Sequence, residues 1–427
     1  MKRFTSILNT VFFCWLLIFE SQTAAAAPQQ QWLLSPTDMS EQQLDSVRIS
    51  LLTCSPHDEI YSLYGHTAIR LENPAYGVDV AINYGMFSFS KPFFVLRFVF
   101  GLTDYEMGAV PFAYFCEEYR SYGSKVTQQV IRLNNRQKQR IIEALERNYQ
   151  PENRVYRYNY FYDNCTTRAR DMILQNMQDD STHVVGKDYT KELTYRDMVH
   201  ACTENHRWAR FGNDMLLGFM ADRPTTNEQQ QFLPANLMDD FDEMLVSDNA
   251  TYEAPLVIDK LTAVEPGRQY TEEGFPLSPT ACALILLAVT LLVVAYEWLA
   301  ADNVCWAYDA LLMVLSGLAG CLLFLMLFSQ HPTVRLNLQL LVLNPLPLLF
   351  VWRAVKRARH AQRDPWWMLW GALIVLFFVG ALVQRYAEGM MILASCLLIR
   401  CGVNIVATRR KNVGKSASMP HNKKSGA

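Results

Sequence analysis

Cys165 is the residue best placed to do chemistry. It lies in Tyr160-Phe-Tyr-Asp-Asn-Cys-Thr-Thr-Arg-Ala-Arg-Asp171, where an aromatic, strand-like run over 155–162 gives way to a helix-like run over 166–177. A thiol at a helix N-terminus feels the positive end of the helix dipole, which favours the thiolate, the nucleophilic form. Arg168 and Arg170 add positive charge nearby. Such a nucleophile needs a base, and His66 lies far upstream in Tyr64-Gly-His-Thr-Ala-Ile-Arg-Leu71. That strand candidate is followed by the turn Glu72-Asn-Pro-Ala-Tyr-Gly77 and a returning strand over 78–84. Counting across a turn centred near Pro74 and Ala75 places His66 opposite Asn83, where neighbours stand about 5 Å apart. A histidine oriented by an amide, with a thiol brought in from a separate helix start, follows the Cys/His/Asn logic of papain-like catalysis. Asp79, on the same returning strand, competes with Asn83 for the third role. The ordinary alternatives are a small buried thiol and a hydrogen-bonded strand histidine.

The elements that must position these residues alternate in type. Val47 to Leu52 and Lys125 to Leu133 read as strands, Asn135 to Tyr149 has helical periodicity, and Arg154 to Tyr162 reads as a strand before the Cys165 helix. Residues 190–250 are mostly helical in composition with a break at Arg223-Pro-Thr-Thr226, and 248–273 reads as a linker. The class expected for this half is α+β.

Compartment follows from the two ends of the chain. Lys2 and Arg3, an apolar run over 7–18 and the small-residue stretch 23–28 read as a signal peptide over 1–26. From about residue 278 five apolar stretches follow, near 279–299, 306–328, 336–352, 366–386 and 389–407, each close to the roughly 20 residues a membrane-crossing helix needs. The third is interrupted by Pro345 and Pro347. The link from Arg353 to Arg363 and the tail over 409–427 are basic, which sets both inside and leaves 27–277 outside, with a core over about 45–240. The net charge of −2 averages a basic inner face and a mildly acidic outer domain, and it argues against nucleic acid. Of ten cysteines, only Cys54, Cys116, Cys165 and Cys202 belong to the outer domain. Because a nucleophile must stay free, any disulfide is expected among the other three.

Four segments carry a family resemblance: Thr53-Cys-Ser-Pro56, Tyr61-Ser-Leu-Tyr-Gly-His-Thr-Ala-Ile-Arg70, Asn83-Tyr-Gly-Met-Phe87 and Tyr158 to Asp171. They resemble the Lnb-type N-terminal periplasmic domain, which is similar to the permuted NlpC-like branch of papain-like thiol enzymes, with histidine preceding cysteine. The resemblance implies an α+β papain-like periplasmic domain followed by an all-α membrane domain of about five helices, in the bacterial inner membrane. It implies N-acylation of lipoproteins, with Cys165 as nucleophile, His66 as base, a phospholipid as acyl donor and a diacylated lipoprotein as acceptor. Under that reading the backbone N–H groups of Cys165 and Thr166 would hold the oxyanion. Arg70 would meet a lipid phosphate or sit in an ordinary ion pair, and His331, in an outward link, would seat a head group or be a plain loop residue. Neither cofactor nor metal is called for. The competing readings are an NlpC-like cell-wall peptidase or amidase, and a non-enzymatic, membrane-anchored binding module.

Overall fold

Alternating β-branched and apolar residues build the N-terminal half around one sheet. The computed structural model describes residues 39–417 except 58, 88–92, 94–95, 98–99, 179–181, 187–191, 249–251, 269–274 and 300–303, with side chains to residue 406. The signal segment expected over 1–26 lies outside the described residues, as do the side chains of the basic tail. In chain order the strands are β1 (Arg48–Cys54), β2 (His66–Asn73), β3 (Val78–Met86), β4 (Asp104–Pro111), β5 (Val126–Ile131), β6 (Val155–Arg157), β7 (Thr182–Val185), β8 (Leu245–Asp248), β9 (Tyr252–Pro255) and β10 (Val257–Val264). Seven form an antiparallel sheet in the order β10-β5-β1-β2-β3-β4-β6, and the other three form a small sheet β7-β8-β9.

The helices of this half are α1 (Glu41–Ser46), α2 (Phe112–Ser121), α3 (Asn135–Tyr149), α4 (Cys165–Met177), α5 (Tyr195–Cys202), α6 (Arg207–Leu216) and α7 (Pro234–Glu243). The periodicity that predicts α3 is the one observed: Asn134 caps it, and Ile141, Ile142 and Leu145 are buried in one core with Ala169 and Ile173 of α4. Each such side chain taken from water contributes about 1.5–3 kcal/mol. Helix α4 rests on β2 and β3, which brings its N-terminus to the strand that carries His66.

Three expectations need correction. Asn83 faces Ala68 across the hairpin, not His66, because the turn is a four-residue loop in which Pro74–Tyr76 form a tight helical turn and Gly77 takes φ 63°. The slip is by two residues, which preserves the face. The expected strand over 154–162 is cut to Val155–Arg157, and Asn159 and Asp163 instead bridge a local turn. The expected linker over 248–273 contains two strands, and β10 pairs with β5 as the edge of the main sheet. Most of β10 is exposed, so it lacks the apolar alternation that marks a half-buried strand.

The C-terminal half is helical: α8 (Pro279–Leu299), α9 (Trp306–Met326), α10 (Leu346–Arg359), α11 (Trp366–Gly380) and α12 (Met390–Ala417). Three segments, 279–299, 306–326 and 338–359, are long and apolar enough to cross a membrane, and Trp366–Gly380 and Met390–Val406 are shorter apolar helices. A helix of 21 residues rises about 31 Å, close to the hydrocarbon thickness of a bilayer. The third segment is broken at Asn344 and Pro345, before α10 begins. There α9 passes so close that a Cβ on Gly320 would stand 2.3 Å from the Asn344 backbone. Glu297 of α8 and Asp309 of α9 are buried and both bind Arg400 of α12, at 2.7 Å each. Asn404 adds a bond to Asp309, so every charged side chain of this cluster has a polar partner within the apolar bundle.

The two halves are tied by named bonds. Gly218 N–H donates to the Thr333 carbonyl (2.9 Å), the Asn337 amide to Met215 and the Gln339 amide to Asp214 (2.8 Å each). Arg385, between α11 and α12, binds Asp222, Asp197 and Thr194 of the N-terminal half. Fully buried Arg196 holds Asp214 and Asp222 from the other side.

Candidate active site

Asn164 decides where the Cys165 helix starts. Its side-chain oxygen accepts the N–H groups of Thr166 and Thr167 at 2.9 Å, while the Thr167 hydroxyl accepts the Asn164 N–H at 2.9 Å. This is a capping box. The Asn164 amide nitrogen donates to the Tyr160 and Phe232 carbonyls, so the cap is held by the surrounding loops as well. Cys165 is thereby fixed as the first residue of the helix. The oxyanion expectation is halved by the same geometry. Thr166 N–H is taken by the cap, whereas the Cys165 N–H, at the first helical position, has no intrahelical acceptor.

His66 enters from the start of β2. Its Nε2 donates to the Asn83 side-chain oxygen at 3.0 Å, a diagonal contact on one sheet face across the corrected register. That leaves Nδ1 for the thiol, and Cys165 lies near enough to raise the His66 pKa. Tyr119 of α2 lies parallel to the imidazole, with centroids 6.4 Å apart. Burial pushes the Cys165 thiol up, but the charge and hydrogen bond of His66, the Thr67 N–H and the Thr166 hydroxyl outweigh it and bring the thiol down to about 7. Burial works against the His66 cation too, yet Cys165 and Asn83 leave its pKa raised. Both directions favour a thiolate–imidazolium pair near neutral pH.

Gly85 of β3 sits against the thiol: a Cβ there would lie 3.7 Å from Cys165 Cβ, and its φ of +86° suits glycine. The site opens on a cavity of about 560 Å³ lined by Cys165, His66, Tyr64, Tyr158 and Phe87, and closed by Met326, His331, Thr333 and Val334 of the membrane half. Aromatic and aliphatic side chains make most of its wall. His331 therefore shares the cavity with Cys165 and His66. Arg70 does not reach it; its guanidinium is engaged by Asp79, Glu72 and Gln128 and stacks on Phe112 at 3.5 Å. The same ion pair holds Asp79, opposite Glu72 in the register, and the structure brings Asn83, not Asp79, to His66. Cys54, Cys116 and Cys202, the three among which any disulfide was expected, are free thiols. Among the described residues no group of three or more His, Cys, Asp or Glu side chains stands at metal-binding spacing.

Sequence reading passed over Tyr119, Thr67 and Gly85, whereas it singled out His331 in its outward link. Gly85 and Thr67 stand inside the quoted motifs and were legible as a glycine and a hydroxyl beside candidate residues. Tyr119 reaches the site only through tertiary packing and carries no local signal.

The fold and site define a class: an α+β periplasmic domain with a thiol–imidazole pair, mounted on a helical membrane domain. The family models agree with that division. The Lnb N-terminal periplasmic domain matches residues 38–200 and the Lnb transmembrane domain matches residues 270–412, and the chain belongs to the Lnb family. No curated protein and no solved structure matches it.

Proposed function

We propose that the protein is a cysteine-dependent acyltransferase that moves a fatty acyl chain from a phospholipid to the N-terminal amine of a diacylglyceryl-cysteine lipoprotein. The observation that carries this reading is the placement of Cys165 and His66 in the wall of a largely apolar cavity whose far side is built from the membrane half. A peptidoglycan hydrolase would need a polar groove and no wall from the spans. In this reading the first half lies in the periplasm, all five apolar helices belong to the membrane, and the basic tail lies in the cytoplasm.

In the first step the Cys165 thiolate attacks the ester carbonyl carbon of the donor. The oxyanion forms against the Cys165 N–H, and collapse breaks the C–O bond. The departing glycerol oxygen takes the proton from the His66 imidazolium, leaving a thioester and a lysophospholipid. In the second step the acceptor amine attacks the thioester, neutral His66 takes the amine proton, and the thiolate leaves. An amide is formed and the thiolate–imidazolium pair is restored. Asn83 holds the imidazole edge through both steps. His331 is placed to contact the polar part of the donor.

The test is intact-mass analysis of the full chain incubated with phospholipid vesicles. An adduct equal to one acyl chain, mapped to Cys165 and discharged by a diacylated lipopeptide, is the expected result. If cells that have a Cys165→Ala variant as their only such enzyme still carry N-acylated lipoproteins, the reading fails.

A further inference from the structure

We infer that Thr67 is a positioning residue for the Cys165 sulfur, acting from the base strand through the hydroxyl of Thr166. Thr67 follows His66 directly on β2, and Thr166 follows Cys165 directly on α4. The Thr67 hydroxyl donates to the Thr166 hydroxyl at 3.1 Å, with both residues 0% exposed. Since the Thr166 oxygen is accepting there, its own hydrogen is free to point at the Cys165 sulfur, 3.8 Å away. The hydroxyl that meets the sulfur is thus oriented by a single residue of the strand that carries His66. The hydroxyl chain joins strand to helix beside the reacting pair, so the spacing of base and nucleophile is set by a buried bond with no solvent to replace it. Removing a hydroxyl removes a donor to the thiolate and leaves the neutral thiol nearly unaffected, which raises the thiol pKa.

This rests on Cys165 being the reactive thiol, and not on the identity of the acyl acceptor. The titratable groups facing the sulfur are His66, Cys54, Tyr105, Tyr119, Tyr156 and Tyr158. Burial pushes Cys54 and all four phenols upward, so between pH 5 and 8 the profile reads Cys165 and His66.

The experiment measures iodoacetamide labelling of Cys165 in the detergent-purified full chain across pH 5–10, read on the Cys165 peptide by mass spectrometry. Thr67→Val and Thr166→Val keep the β-branched shape and lose the hydroxyl. In each, labelling at pH 6.5 should fall about two- to threefold and the midpoint should move upward. Thr67→Ser should retain the parental profile. Unchanged midpoints in folded Val variants, or a shifted midpoint in Thr67→Ser, overturn the inference. Should Thr67→Val not fold, Thr166→Val reads the same bond from the helix side. Labelling of Cys165 does not require acyl transfer, so a parental protein that labels normally and forms no acyl adduct would count against the proposed function alone.

Discussion

Replacing His66 with alanine should raise the Cys165 thiol and abolish its acylation, and the size of the effect on the thiol can be worked out. Burial pushes the thiol up, and His66, through its charge and its hydrogen bond, is the largest influence bringing it from the ordinary 9.0 to about 7. Without the imidazole the thiol returns to about 9 or above. At pH 7 the thiolate fraction then falls from about one half to about one hundredth, a difference of roughly 2.7 kcal/mol. The remaining thiolate is the more basic one and reacts about six- to tenfold faster, so labelling by a small alkylating agent should slow by only about five- to eightfold at pH 7. Formation of the acyl-thioester should be lost altogether, because the leaving oxygen has no proton donor. The assay compares iodoacetamide labelling from pH 5 to 10 with acyl-adduct formation in the same preparation. A His66→Ala protein whose labelling midpoint stays near pH 7 would refute the claim that the imidazole sets the thiol.

Four further outcomes follow from named contacts. Asn83→Ala removes one bond to the imidazole, a loss of about 1 kcal/mol, and should slow single-turnover thioester formation several-fold while leaving the Cys165 labelling midpoint below 9. Asn164→Ala deletes the helix cap and both loop bonds, and should lower unfolding free energy by about 1–3 kcal/mol in a denaturant titration. Gly218→Ala would put a Cβ 2.2 Å from the Arg335 carbonyl oxygen, so the link that closes the cavity must shift; adduct formation should fall with little change in Cys165 labelling. Burial alone would raise the Asp197 carboxyl, but Arg385 and Thr194 bring it from 3.8 to about 2. Its depressed pKa contributes stability that is present above about pH 4 and lost as the pH falls toward 2. Arg385→Ala should therefore increase protease cleavage between the halves at pH 6 more than at pH 3.

How much of this could be read from the residues alone depends on the range of the interaction. The Asn135–Tyr149 helix and the helix start at Cys165 are set by periodicity and by the neighbouring Asn134 and Asn164, all within a few positions. The pairing of His66 with Asn83 was legible as a shared face but not as a register, because Gly77 and the turn at Pro74–Tyr76 fix the loop length only once folded. Strand β10 escaped because its residues face solvent and β5 alone gives it a place. The occupation of Thr166 N–H escaped because one amide oxygen accepts both it and the Thr167 N–H, a sharing set by the folded geometry. The membrane-side wall of the cavity was the least legible part: Thr333 meets Gly218 across more than a hundred residues, and nothing local to either position announces it.

Strand β10 also governs the order in which the chain can be completed. The inner strands of the main sheet are all made by residue 157, yet β5 has one bare edge until residues 257–264 arrive. A bare edge is a template for pairing with another chain. The strand that covers it is the last element before the first membrane helix at Pro279. As the polypeptide emerges, the sheet is therefore closed only when the chain is about to become tethered to the bilayer. Shortening the stretch between β10 and that helix would force a vectorially folding molecule to choose between sealing its sheet and entering the membrane.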